Sequence, residues 1–425
     1  VHDFLYRGGT LHCEEIPAEQ IARVHGTPCY VYSRRTFLDH FRKLRDAFAP
    51  ISPKGLTICY SVKANSNLTL MRLIRQEGAG FDVVSGGELF RVLKIGGDPK
   101  KVVFAGVGKT DEEIAAGLKA GIFLFNVESE QELEVMDGLA RKMGLRQDVA
   151  LRVNPDVDPK THRHTATGKR EAKFGVDLVR AEAVLRAAQN MKGIRMRGLH
   201  AHIGSPITSS EPYVETLHRI QEFLDRIDLP IDLLDIGGGF GIWYKEKRAK
   251  TAVEMAAALE APLRRLNREI VMEPGRFIAG NSGILLTRVV YVKDSGDKKF
   301  IICDAGMNDL IRPVLYDAYH RVWPAQTDPA HQGDPPDEET WRGPVDKCDV
   351  VGPICESGDY FAKDRNLPPV RRGDLLAVFS AGAYGYVMSS TYNTHPRPAE
   401  VLVDGDRGRV VTRRETYEDL VRLEE

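Results

Sequence analysis

Between about residue 55 and residue 276 one pattern recurs along the chain: a short β-branched, apolar run, a turn, then an amphipathic stretch. The runs fall at 57–63, 81–85, 101–106, 122–127, 149–154, 196–204, 231–239 and 269–276. Several of the intervening segments read as helices, with residues 178–190 and 213–228 showing the i, i+3, i+4 apolar spacing most plainly. Eight alternating βα units predict a (β/α)8 TIM-type barrel, with a doubly wound open sheet as the alternative. A barrel places its chemistry at the C-terminal ends of its strands. Lys63, Ser85, Arg152, His200, His202, Gly237, Gly238, Gly239, Glu273 and Arg276 all fall at or near such ends. An open sheet would not spread them over so many strands.

After Arg276 the pattern changes. Runs at 285–292, 299–303, 347–351, 375–379 and 399–403 are separated by Gly, Pro and Asp turns with little helix, which predicts an all-β domain. Residues 324–344 read as a long exposed loop. The first 25 residues hold a hairpin-like piece at 4–11, turning at Gly8 and Gly9, before a first helix at 34–48. They are too few to fold alone and are expected to pair with the β-domain. The expected division is a barrel over 26–280 and a β-domain, sandwich or barrel-like, made of 1–25 and 281–425.

Composition narrows the function. Lys and Arg total 59 against 60 Asp and Glu, which argues against nucleic acid or an anionic membrane as the main partner. No run approaches the ~20 apolar residues of a membrane-spanning helix, and residues 1–7 lack the apolar stretch of a signal peptide. A cytoplasmic enzyme is therefore expected. The six cysteines contain no CxxC pair and are expected to be reduced, all packing residues except Cys355.

Lys63 ends an otherwise apolar strand, so it either snorkels to solvent or is used covalently. Desolvation makes a lysine amine nucleophilic, as a Schiff base with an aldehyde cofactor requires. Gly237, Gly238 and Gly239 follow the seventh strand, where backbone N–H groups can close on an anion without Cβ obstruction; the alternative is a plain turn. Glu273 ends the eighth strand and suits the pyridine nitrogen of pyridoxal phosphate (PLP), or a structural ion pair with Arg276. His200 and His202 share a strand face. His200 reads as a core histidine. His202, beside Gly204 and Ser205, reads as an imidazole that stacks on a flat cofactor, with Ser205 offering a hydroxyl to phosphate. No third ligand stands near the HxH pair in sequence, so no metal is expected.

An ordered set of motifs carries a family resemblance over nearly the whole chain: YSVKANSN at 60–67, FDVVSGGEL at 81–89, KFG at 173–175, LHAHIGS at 199–205, DIGGGF at 235–240, EPGR at 273–276, DAGMNDLIRP at 304–313, GPICESGD at 352–359 and GAYGYVMSSTYN at 382–393. The chain resembles the fold-type III PLP decarboxylases, and among them the diaminopimelate decarboxylase family. The resemblance implies that Lys63 carries PLP, that Asp82 lies beside it and that His202 stacks on its ring. Ser205, the glycines 237–239 and the turn from Glu273 through Gly275 to Arg276 are implied around the phosphate. Glu273 is implied at the pyridine nitrogen and Tyr384 at the phosphate. Arg276, Arg312, Tyr316, Glu356 and Tyr384 are implied to bind substrate, with Cys355 as proton donor. In the family Cys355 and Glu356 reach the site of a partner subunit, so a homodimer is expected. Pro206 departs from the pattern, standing where many relatives carry Gln.

The implied reaction is decarboxylation of meso-diaminopimelate to L-lysine and CO2, the last step of lysine biosynthesis by that route. Two arginines match a distal carboxylate and Glu356 an ammonium, and diaminopimelate has both where ornithine, arginine and lysine lack the carboxylate. The alternatives are a decarboxylase for ornithine or arginine, and a non-catalytic PLP-binding homologue. A racemase on the same barrel places Arg at the pyridine nitrogen, and Glu273 argues against it.

Overall fold

The computed structural model describes residues 2–158, 173–245, 249–296, 298–336 and 338–424. The chain divides into two compact units: His40–Ile242 with Arg248–Phe277, and Val1–Asp39 with Trp243–Lys247 and Ile278–Glu425.

The first unit is built on eight parallel strands, β1 (Leu56–Ser61), β2 (Gly80–Val83), β3 (Val102–Phe104), β4 (Leu124–Val127), β5 (Gln147–Asn154), β6 (Ile194–His200), β7 (Leu233–Asp235) and β8 (Glu269–Met272). Each pairs with the next, and β8 pairs with β1 through Ile270 and Leu56, so the sheet closes into a barrel. The open-sheet alternative is excluded. Every predicted run overlaps one of these strands, because strands covered on both faces are continuously apolar. Cys59, Val103, Leu124, Ala150, Leu233 and Val271, from six of the strands, pack together as fully buried residues.

Helices follow the strands for local reasons. The helix Asp111–Ala120 starts at a Thr110 capping box with Glu113 and ends at Gly121 in the left-handed region. Glu211–Ile227 buries Tyr213, Leu217, Ile220 and Leu224 along one stripe. No helix among the described residues is long and apolar enough to cross a membrane.

The second unit is a β-domain that includes the N-terminal segment. Its central strand, Gly283–Asp294, pairs with Cys29–Ser33, Lys299–Cys303 and Leu375–Val378. Phe4–Arg7, Thr10–Cys13 and Ile16–Pro17 form a separate three-stranded sheet. Tyr6 bridges to Gly333 and Thr10 to Gln326, and the Tyr6 hydroxyl donates to the Pro324 carbonyl at 2.6 Å. The expected pairing of the N-terminal hairpin with the later chain is therefore present, and it engages the 324–344 segment.

Elements near the N-terminus differ from expectation. The first helix is Ala18–His25, ahead of Arg34–Phe48. It is eight residues long and buries only Ala18, Ile21 and Ala22, too short an apolar stripe to stand out. The strand Cys29–Ser33 also escaped notice; it is buried on both faces and five residues long, so it shows no alternation. Cys13, Cys29, Cys59, Cys303 and Cys348 are buried free thiols and Cys355 is exposed, as expected.

Candidate active site

Lys63 does not sit on β1 itself. The strand ends at Ser61, and Lys63 occupies a short 3-10 turn, Val62–Ala64, that lifts its side chain to the barrel mouth at 35% exposure. Its Nζ lies 2.5 Å from Asp82 Oδ2 and 3.0 Å from Ser61 Oγ. Ser61 also donates to Asp82 and thereby fixes the carboxylate on β2. Burial raises the Asp82 pKa, with the Glu273 charge adding and the Lys63 ammonium opposing.

His202 lies two residues past β6. Its Nδ1 accepts the Gly238 N–H at 3.2 Å, which leaves the proton of the neutral ring on Nε2. Burial lowers the His202 pKa well below the ordinary value, and the charges of Arg152 and Lys63 lower it further. The ring is thus a neutral, flat surface beside Lys63. Arg152, at the end of β5, is held by Glu128 Oε1 at 2.8 Å and packs over Phe174 at 4.7 Å.

The three glycines after β7 are required chiefly by strand packing. A Cβ at Gly238 would lie 2.1 Å from the Glu273 carbonyl oxygen, and one at Gly239 would lie 2.1 Å from that of Gly204. Gly237 N–H donates to Asp235 Oδ1 at 2.9 Å and Gly238 N–H to His202. Only the Gly239 N–H makes no hydrogen bond among the described residues. The Gly237 and Gly238 amides instead orient Asp235 and His202.

Glu273 follows β8 and is buried. Its Oε1 accepts from Asn126 Nδ2 at 2.9 Å, and its Oε2 lies 3.3 Å from His200 Nε2. Burial opposes its ionisation, but the charge and contact of His200, with Lys63 and Asp235, hold its pKa below the usual carboxylate range. Asp235 shares the Asn126 amide at 2.9 Å; burial and the Glu273 charge raise its pKa well above the ordinary value. The opposite shifts favour the anion on Glu273 and the proton on Asp235. Gly275 brings the next turn against β1, where a Cβ would meet Ser61 and Ala64 at 2.8 Å. Arg276 Nε then donates to Ser205 Oγ at 3.1 Å.

Lys63, Asp82, His202, Ser205, Gly237, Gly238, Gly239, Glu273, Gly275 and Arg276 are therefore gathered at one end of the barrel. Sequence reasoning missed Ser61, Asn126, Asp235 and the contact of His200 with Glu273. Asn126 and Asp235 are polar residues inside apolar strand runs, and that was their signal. The third ligand-type group absent near the HxH pair in sequence is present in space: His200, Asp235 and Glu273 offer atoms within 4.8 Å of one another.

The remaining candidates belong to the β-domain. Arg312 opens the short helix Arg312–Tyr316, and its Nη1 donates to Tyr244 Oη at 2.8 Å and approaches His320 Nε2 at 3.2 Å. Tyr316 and Tyr384 are half-buried, and Tyr384 adopts φ +56°. Cys355 and Glu356 are exposed, with the Cys355 N–H donating to Asn393 Oδ1 at 2.7 Å. Asp359 accepts from the N–H groups of Met307 and Ile354, both at 2.7 Å, and so ties their loop to the DAGMNDLIRP segment.

The barrel-mouth residues fit PLP. They supply an accessible amine, a neutral imidazole, a buried anion and, among the described residues, a buried Asp82 Oδ1 with no partner. Fold and site together define a pyridoxal-dependent decarboxylase, and PLP is its cofactor. The family model described as pyridoxal-dependent decarboxylase, pyridoxal binding domain, matches residues 34–280. The diaminopimelate decarboxylase of Aquifex aeolicus is 45% identical over 98% of this chain and 96% of its own length, and that of Pseudomonas aeruginosa 46% over 98% and 97%. The crystal structure of Helicobacter pylori diaminopimelate decarboxylase in complex with L-lysine superposes with a TM-score of 0.87, at 37% identity over 96% of this chain and 98% of that one. The chain belongs to the diaminopimelate decarboxylase family.

Proposed function

We propose that this chain decarboxylates meso-diaminopimelate to L-lysine and CO2, as the last step of lysine biosynthesis, in the cytoplasm and as a homodimer. The observation that carries the reading is the set at the barrel mouth: Lys63 against Asp82, a neutral His202, and Glu273 held as an anion. PLP supplies an electron sink for the pair left by the departing CO2. Lys63 would hold the cofactor by its ε-amine, and Asp82 accepts a hydrogen bond from the Lys63 amine. His202 presents its ring face to the pyridine. Glu273 keeps the pyridine nitrogen protonated through a charge-assisted hydrogen bond. The Gly239 N–H, Ser205, Gly275 and Tyr384 hold the phosphate.

Arg276 and Arg312 pair with substrate carboxylate, Glu356 with its distal ammonium, and Tyr316 and Tyr384 complete the substrate contacts. Cys355 returns a proton to the carbon that lost CO2. The exposure of Cys355 and Glu356 supports their acting in the site of a second copy. A panel of meso-diaminopimelate, ornithine, arginine and lysine, assayed for CO2 release, tests the substrate. Diaminopimelate is expected to exceed each of the others by at least about a hundredfold in kcat/KM, the discrimination expected when a buried charged partner is left unpaired. Turnover of ornithine above diaminopimelate would refute the assignment.

A further inference from the structure

Behind Glu273, inside the barrel, lies a polar cluster for which strand packing gives no reason. His200 is 1% exposed and Asp235 and Asn126 are fully buried, on three different strands, in a core made mainly of apolar residues. A buried polar group left unpaired costs about 1–3 kcal/mol, so such clusters persist where they serve the site. Among the described residues neither His200 ring nitrogen makes a well-aligned hydrogen bond, and Asn126 Oδ1 has no partner. The nearest carboxylate to the His200 ring is Glu273 Oε2 at 3.3 Å, close but not aligned. Asn126 Nδ2 meanwhile divides itself between Asp235 and Glu273, at 2.9 Å to each.

We propose that His200, with Asp235 and Asn126 completing its ring of contacts, is the positioning residue of Glu273: it donates a proton-bearing nitrogen to the far side of the carboxylate and keeps the negative charge there. The proposal rests on the reading that Glu273 faces the pyridine nitrogen. A carboxylate at that place works only while ionised, since a carboxylic acid would compete for the proton the ring nitrogen must keep. Burial pushes Glu273 toward protonation, and of the groups that oppose it His200 acts most strongly. The other titratable groups facing Glu273 are Cys59, Lys63, Asp82, His202 and Asp235. Lys63, the lysine among them, is committed to Asp82. Asp235, carrying its proton, donates toward Glu273 and orients the Gly237 N–H through its other oxygen.

The test reads the ring nitrogen directly. Wild type, His200→Gln and His200→Phe are reconstituted with PLP labelled with 15N in the ring, and the nitrogen shift is followed with pH. Wild type is expected to stay protonated up to about pH 9, with the midpoint falling by at least about one pH unit in His200→Phe and by an intermediate amount in His200→Gln. In parallel, kcat should fall at least about tenfold in His200→Phe while substrate KM stays within about threefold. Midpoints equal to wild type in either variant would overturn the role of His200. If His200→Phe does not retain cofactor, His200→Gln carries the comparison alone. A wild-type ring nitrogen already unprotonated at neutral pH would instead overturn the placement of Glu273.

Discussion

Asp309 illustrates what a buried carboxyl does to the pH dependence of this molecule. It lies in the DAGMNDLIRP segment, accepts the Gly306 N–H at 2.9 Å, and is pushed by burial from 3.8 up to about 7. The folded chain keeps a proton here that the unfolded chain releases near 3.8. Stability from this group is therefore present below that value and is lost as pH rises toward 7 and beyond. The loss is at most on the order of 4 kcal/mol, at ~1.4 kcal/mol per pH unit. Asp309→Asn, which cannot ionise, is expected to flatten the decline of Tm between about pH 4 and about pH 7 relative to wild type. Parallel Tm profiles for the two proteins would contradict the burial argument. Local chemistry of this kind was only partly readable beforehand. Lys63 and Glu273 stood out because a charge at the end of an apolar run demands a partner. Their partners Asp82 and Asn126 come from other strands, and the raised pKa of Asp235 comes from burial together with Glu273, at the end of the neighbouring strand. No local pattern encodes that.

At the scale of elements, the ends of β7 and β8 are fitted to one another through backbone. Gly238→Ala would drive a methyl into the Glu273 carbonyl, and neither partner can give way without moving its strand end. The substitution is expected to cost at least about 1–3 kcal/mol and to lower PLP retention markedly, read by thermal melting and by cofactor content after dialysis. At Gly138, within the helix Glu130–Lys142, an added methyl would meet nothing within 4 Å. Gly138→Ala is therefore expected to raise stability by about 0.5–1 kcal/mol. The eight barrel strands were legible because each is a continuous apolar run bounded by turn residues. The strand Tyr360–Leu367 was not, since four of its eight residues are charged or polar and half-exposed or more. The helix Ala18–His25, bracketed by Pro17 and Gly26, carried end signals but too little apolar face to be noticed between them.

At the scale of the whole molecule, the proposal of a shared site makes activity a property of two chains. Lys63→Ala and Cys355→Ala are each expected to be nearly inactive alone. Mixed after reversible dissociation, they should regain about a quarter of wild-type activity, because half of the dimers pair the two variants and each such dimer has one intact site. Equal mixtures no more active than the separate variants would place Cys355 and Lys63 of a single chain in one site. The near-zero net charge of −1 agrees with a small-molecule enzyme rather than a nucleic-acid binder. The closed barrel, the β-domain and the family were all legible in the order of the motifs; the detailed bonding at the barrel mouth was not.

The most direct measurement is CO2 release from meso-diaminopimelate by the purified protein, stripped of cofactor and then supplied with PLP, with Lys63→Ala alongside. The account predicts release by wild type only when PLP is restored, L-lysine formed in equal amount, and no release by Lys63→Ala. Release that is independent of PLP, or undiminished in Lys63→Ala, would contradict it.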